Sequence, residues 1–206
     1  MVNEKSGKRS VFIVLDGIDG SGKSTQALYL AEWLIKNGKK VVLFHEPNSK
    51  TAFGRKIKEL LRGKKANGVS KKRWVAMFTK QRNQTLKEIK KALDSGKIVI
   101  CDRYYYSTMA YQLGEKEWKS YAKKFLKPDI AFIFNLPLGE ALKRINKKNE
   151  EQMMVPAVFE RTATLREVKG MFIKIPKIFR EAKLIDTSPG PNKIFSQIKK
   201  EVAKKL

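Results

Sequence analysis

The chain has 206 residues, of which 42% are hydrophobic, enough to bury a sizeable core and too many for wholesale disorder. Lys and Arg number 45 against 20 Asp and Glu, a formal net charge of +25, so the natural partners are anions: nucleic acid, a membrane surface or phosphorylated small molecules. Cys101 is the single cysteine, which excludes an intrachain disulfide framework; no apolar run is long enough to cross a bilayer, and "MVNEKSGKRS" lacks the apolar segment of a signal peptide, so a cytoplasmic protein with no membrane partner is expected. The basic residues are spread as pairs such as Lys71-Lys72, Lys90-Lys91 and Lys199-Lys200, which favours a solvated basic surface over a dedicated nucleic-acid site.

Strand and helix patterns alternate along the chain. "SVFIVLD" reads as a buried strand, after which Ala27, Leu30, Ala31 and Leu34 recur at helical spacing up to a stop at Gly38. "KVVLFHE" is a second strand, "GRKIKELLRG" a short helix, and residues 70–93 a long helix closed by "DSG". "KIVICD" is a third strand, with "STMAYQLG" and "EKEWKSYAKKFL" helical behind it. "DIAFIFNL" is a fourth strand, "LGEALKRINKK" a helix and "NEEQMMVPAV" polar and irregular. Residues 159–182 read as largely helical, interrupted or bent at Pro176; "KLIDTS" is a fifth strand and "NKIFSQIKKEV" a closing helix with Ile194, Ile198 and Val202 on one face. The strands are near-continuous apolar runs, as expected of parallel strands covered on both faces. The expectation is one α/β domain over residues 1–206: a doubly wound, parallel, five-stranded sheet flanked by helices, with ligands at the carboxyl ends of the strands.

"GIDGSGKS" fits G-x-x-x-x-G-K-[ST] between a strand and a helix, the context that a phosphate loop requires. Gly17, Gly20 and Gly22 let the backbone turn its N–H groups toward one point, and the helix starting near Lys23 adds its positive end. The expected nucleotide-binding segment is Gly17, Ile18, Asp19, Gly20, Ser21, Gly22, Lys23, Ser24 and Thr25, holding ATP, with Lys23 on the β- and γ-phosphates and the Ser24 hydroxyl able to ligate Mg²⁺. Asp102 and Arg103 follow a buried strand and would lie beside the loop, the carboxylate suited to Mg²⁺ and the guanidinium to phosphate; a structural salt bridge at a strand end is the alternative. The long helix carries an apolar stripe, Val75, Phe78, Leu86, Ile89 and Leu93, broken by Arg82. A charge there needs a partner: either a buried ion pair or, the reading preferred, an anionic ligand in a cleft with Phe78 one turn away for stacking. Two anion grips, the loop and the Arg82/Arg103 pair, suggest a donor phosphate site facing an acceptor phosphate site.

These residues resemble the thymidylate (dTMP) kinase family from about Val11 to Val202. The matching pieces are "LDGIDGSGKSTQ", Glu46-Pro47, "GRKIKELL", "FTKQR" at Phe78 to Arg82, "DRYYYSTMAYQ" at Asp102 to Gln112, and Phe159-Glu160. The resemblance implies a P-loop kinase fold with a short lid at about 144–158, a homodimer, and transfer of the γ-phosphate of ATP to dTMP. It also implies roles: Asp19 near the acceptor sugar and phosphate, Phe78 stacked on thymine, Arg82 and Arg103 on the base edge and acceptor phosphate, Thr108 and Gln112 on the base, Tyr111 under the deoxyribose, and Asp102 as the magnesium-associated acid. A nucleoside monophosphate brings its own anionic oxygen, largely dianionic at neutral pH because its second pKa is about 6, so no strong general base is needed.

The chain departs from the family pattern in two places. His45 stands where arginine commonly precedes "EP", and "EPNS" replaces "EPGG"; the nearest cation is then expected at Lys50 or Arg55, or His45 is a mere spacer. Members with glycine at the Gly20 position usually carry lid arginines, yet the expected basic and acidic places fall on Met154, Ala157 and Val158. Lys143, Arg144, Lys147 and Lys148 are the nearest substitutes, or else a solvated helix face. "DTSPGPN" reads as an adenine-wrapping loop by resemblance and as an ordinary turn by composition. Rival functions are a kinase for dUMP or a broader deoxynucleotide set, a nucleic-acid-stimulated ATPase, and a nucleotide-binding protein without catalysis.

Overall fold

The computed structural model describes residues 10–154 and 156–206; the polar stretch before Ser10 and Val155 of "MMVPAV" lie outside them. Five parallel strands form one sheet in the order β2-β3-β1-β4-β5: β1 (Phe12–Gly17), β2 (Val41–His45), β3 (Ile98–Asp102), β4 (Ile130–Asn135) and β5 (Ala182–Asp186). Alternate residues of the central strands feed two separate cores, as the two-residue period of a strand requires. Ile13, Leu15, Ile100 and Phe132 pack on one face against α1 (Lys23–Lys36) and α8 (Pro191–Ala203). Phe12, Val14, Cys101 and Ile133 pack on the other against α3 (Lys71–Asp94), α4 (Tyr105–Gln112), α5 (Glu115–Ala122) and α7 (Thr162–Ile178). This is the doubly wound, parallel five-stranded α/β fold that the apolar runs imply.

Local chemistry sets the helix boundaries. Ser70 caps α3 by accepting from the Arg73 amide, and Thr51 caps α2 (Ala52–Arg62) by accepting from the Gly54 amide at 2.9 Å. Two boundaries differ from the sequence reading. α6 (Leu138–Glu151) continues through the polar "NEE", because Asn149 is buried on it and donates to Glu160. α7 passes Pro176 and ends at Ile178, since Ala182 is already paired with Ala131 in the sheet. Among the described residues, no helix is long and apolar enough to cross a membrane.

Candidate active site

β1 ends at Gly17 and α1 begins at Lys23, so residues 18–22 turn at the carboxyl edge of the sheet. The turn cannot be built from other residues at two points. Gly20 has φ +76°, and a Cβ there would lie 2.6 Å from the Ala141 carbonyl oxygen of α6. Gly17 has φ +144°, and its Cβ would lie 2.7 Å from the Phe134 carbonyl oxygen. The Lys23 ammonium is buried inside the turn, donating to the Ile18 carbonyl at 2.7 Å. Burial, with Arg103 nearby, lowers it to about 8 despite Asp19, Asp102 and Asp16.

Asp102 ends β3 beside the first turn of α1. Its Oδ2 accepts from the Ser24 hydroxyl at 2.5 Å and from His45 Nδ1 at 3.1 Å, while its Oδ1 is buried with no hydrogen-bond partner among the described residues. Burial works against the charge, but the His45 and Ser24 bonds and the Lys23 ammonium outweigh it and hold the carboxyl well below the usual range. Among the described residues, no three His, Cys, Asp or Glu side chains form a metal cage. A hydroxyl and one ionised carboxylate with a spare buried oxygen fit Mg²⁺, which takes few protein ligands and completes its shell with phosphates and water.

Arg103 follows with φ +72°, in the left-handed region that a side chain rarely adopts. Asp16, in β1, holds it there. The Asp16 Oδ2 accepts from the Tyr104 and Ser107 amides at 3.0 and 2.9 Å, and Oδ1 from the Gly17 amide at 2.9 Å and the Ser107 hydroxyl at 2.6 Å. The turn so fixed sends the Arg103 guanidinium across the loop, onto the Gly17 carbonyl (3.0 Å), the Ser107 hydroxyl (2.9 Å) and Asp19 Oδ1 (2.7 Å). Burial raises the Asp19 carboxyl, but Arg103 and Lys23 pull it below its ordinary value. Asp16 is missing from the sequence reading; its one signal was an acid inside an apolar strand.

A cleft of about 640 Å³ runs from the loop to α3 and α4, lined by Lys23, Ser24, Asp102, Arg103, Phe78, Arg82, Thr108, Tyr111 and Gln112 among others. Arg82 is an ion pair as well as a lining residue. Its Nε donates to Glu46 at 2.8 Å, Nη1 to the Tyr121 hydroxyl at 3.0 Å, and Nη2 to the Tyr104 carbonyl and Thr108 hydroxyl, each at 3.1 Å. Burial pushes the Glu46 carboxyl up to about 7 although Arg82 pulls it down. The Gln112 amide is buried, and neither its oxygen nor its nitrogen has a hydrogen-bond partner among the described residues. Rings connect this wall to the segment before α7: Trp74 stacks on Phe78 at 5.7 Å and meets Phe159 at 5.4 Å, and Phe159 meets Tyr111 at 5.1 Å.

A family model described as thymidylate kinase matches residues 15–198. The chain belongs to the thymidylate kinase family. A protein of Thermococcus kodakarensis named probable thymidylate kinase is 37% identical over 200 residues, spanning 91% of this chain and 95% of that one. The thymidylate kinase of Thermosipho africanus is 33% identical over 205 residues, spanning 95% and 99%. The solved structure of Candida albicans thymidylate kinase shares the fold at a TM-score of 0.77, with 24% identity over 96% of this chain and 93% of that one.

The positions at which this chain leaves the thymidylate kinase pattern can now be located. Of the four basic residues of α6, Arg144 and Lys148 line the cleft, with Arg144 Nη1 at 3.4 Å from the Gly20 carbonyl oxygen. Lys143 and Lys147 instead pair with Glu140 and Glu151 on the outer surface. Met154 and Ala157 also line the cleft. Arg55 is spent on the Ser49 and Lys50 carbonyls outside the cleft lining; Lys58 and Arg62, one turn apart on α2, line it in place of Lys50 and Arg55. Burial, Lys148 and Arg62 together lower the Lys58 ammonium. Lys58 and Arg62 were readable only as a cationic i, i+4 pair in "GRKIKELLR". Glu160 ties the end of the segment down, accepting from the Ala157 amide at 2.8 Å and Asn149 at 3.1 Å, with Arg62 at 3.8 Å.

Proposed function

We propose that this thymidylate kinase transfers the γ-phosphoryl group of ATP to dTMP, giving ADP and dTDP, with Mg²⁺. The observation that carries the reading is the Gln112 amide, which lines the cleft, buried and without a hydrogen-bond partner among the described residues. A base with an imide edge offers a donor beside an acceptor, the complement of a free carboxamide. Arg82, with four of its five N–H groups in the bonds given above, keeps one on Nη1 for a base oxygen, and the Thr108 hydroxyl, which accepts from Arg82, can still donate. Phe78 floors the base, and Tyr111 supports the deoxyribose, its hydroxyl 3.5 Å from Asp19.

Residues 17–25 hold the donor phosphates, with Lys23 as the point charge. Ser24 and Asp102 would hold Mg²⁺, which when bound would offset the charge of the donor phosphates. Arg103 grips the acceptor phosphate while Asp19 orients the guanidinium. Arg144, beside Gly20, supplies cationic stabilisation to the transferring group, with Lys148, Lys58 and Arg62 adding positive potential from the two walls. Lys23, Asp19, Asp102 and Arg103 are thus the catalytic set, and the chemistry reduces to in-line positioning and charge. The chain acts as one kinase domain with a lid at about 144–158, as a homodimer in the cytoplasm.

The test is ADP release from Mg²⁺-ATP with dTMP, dUMP, dGMP, dCMP, AMP, UMP, single-stranded DNA or no acceptor. Turnover best with dTMP is expected. Turnover that ignores the monophosphates and rises with DNA would overturn the reading.

A further inference from the structure

His45 lines the cleft, and the proposed chemistry gives it no part. Strand pairing puts it in a special place. His45 and Asp102 are register partners at the last positions of the parallel strands β2 and β3, so both side chains leave the sheet on the same side. Their backbones are locked: the Glu46 amide donates to the Asp102 carbonyl at 3.0 Å, and the Arg103 amide donates to the Leu15 carbonyl at 2.9 Å. The remaining freedom of Asp102 is rotation of its carboxylate. One hydroxyl, from Ser24, cannot fix that rotation alone. The second bond, from His45 Nδ1, does; both fall on Oδ2, and Oδ1 is left buried and without a hydrogen-bond partner among the described residues. An ionised carboxylate only accepts, so Nδ1 carries the hydrogen.

We propose that His45 is a positioning residue for Asp102: its Nδ1–H fixes the carboxylate so that Oδ1 is the oxygen presented to the magnesium shell of the bound nucleotide. The inference rests on the reading of Asp102 as the magnesium-associated acid. Outer partners of this kind typically change metal affinity by 10- to 100-fold when removed. The His45 side chain is 44% exposed, so its replacement leaves no cavity in a core. The bond also dictates which substitute works. The Asn amide nitrogen stands as many bonds from Cα as Nδ1, whereas the Gln nitrogen stands one bond further, like Nε2.

The experiment measures Mn²⁺ binding to the full chain loaded with ADP, from the free-Mn²⁺ electron paramagnetic resonance signal, at one fixed pH. The variants are His45→Ala, His45→Gln, His45→Asn and Asp102→Asn. Metal-free ADP affinity is measured in parallel by calorimetry. About tenfold weaker Mn²⁺ binding in His45→Ala and His45→Gln, recovered in His45→Asn, with metal-free ADP affinity unchanged in the three His45 variants, is expected. Loss in Asp102→Asn with none in His45→Ala, or no recovery in His45→Asn, would overturn the role of His45 alone. No loss in Asp102→Asn would overturn the reading of Asp102, and the proposal with it.

Discussion

Replacing Asp16 by Asn tests how the Arg103 turn is held. Asp16 is fully buried and accepts four hydrogen bonds, two on each oxygen. An amide keeps one oxygen. Its better orientation places that oxygen under the Tyr104 and Ser107 amides, which stay satisfied. The amide nitrogen then faces the Gly17 N–H, donor against donor, and the Ser107 hydroxyl must rotate to accept. Two buried donors, the Gly17 N–H and one hydrogen of the new amide, are left unpaired, at a cost of about 1–3 kcal/mol each before the structure relaxes. Arg103 Nη1, 3.8 Å from Oδ1, also loses a charge partner. Against this, the variant no longer buries a charge, the penalty that burial imposes in raising the Asp16 carboxyl. The net loss is about 2 kcal/mol, or about 4–8 °C of Tm for a chain of this length. Thermal unfolding followed by circular dichroism reads the loss. Calorimetric titration with dTMP reads the second consequence, a weaker acceptor site as the backbone at Arg103 relaxes. A Tm within about 1 °C of wild type together with unchanged dTMP affinity would refute the reasoning.

Three further outcomes follow from the same geometry. Lys23, lowered to about 8, is largely charged at pH 7 and largely neutral by about pH 9, whereas bound phosphates favour its charged form; ATP affinity therefore falls as pH rises through 8, with proton uptake on binding measured by calorimetry in two buffers, and a flat profile would contradict this. Gly20→Ala and Gly22→Ala both place a side chain at positive φ, about 1–2 kcal/mol each, but only Gly20 meets backbone, so urea unfolding should find the Gly20 variant less stable by at least a further ~1 kcal/mol; equal losses would remove the contact with α6 from the account. Arg144→Ala should lower kcat by about 100-fold and Lys143→Ala, which loses only an exposed pair, by less than about twofold; the reverse order in steady-state assays would exclude Arg144.

The sheet was legible because its central strands β1, β3 and β4 are buried on both faces and so read as near-continuous apolar runs, and the phosphate loop because glycine there answers to backbone geometry. Arg82 was legible as a charge in an apolar stripe, but its partner was not, since Glu46 lies 36 residues away and only the fold brings them together. Asp16 was hidden for the opposite reason: its role is to accept from amides of another segment, and amides carry no residue signature. The end of α6 was misread as irregular because Asn149, polar in sequence, is buried and bonded to Glu160, and only the return of the chain at Glu160 reveals the bond. The four basic residues of α6 look alike in sequence; the neighbours Glu140 and Glu151 decide which two turn away.

The rings of Trp74, Phe78, Phe159 and Tyr111 carry a consequence for leakage. Phe159 belongs to the acceptor wall, yet it is followed at once by Glu160, the anchor of the segment that returns from α6. The covering segment is thus fastened at the acceptor end. On the proposed reading, a base lying on Phe78 would add a face to the same stack and brace that fastening. Protection of the γ-phosphoryl group from hydrolysis would then, on that same reading, depend on the acceptor end of the cleft and not on the donor end.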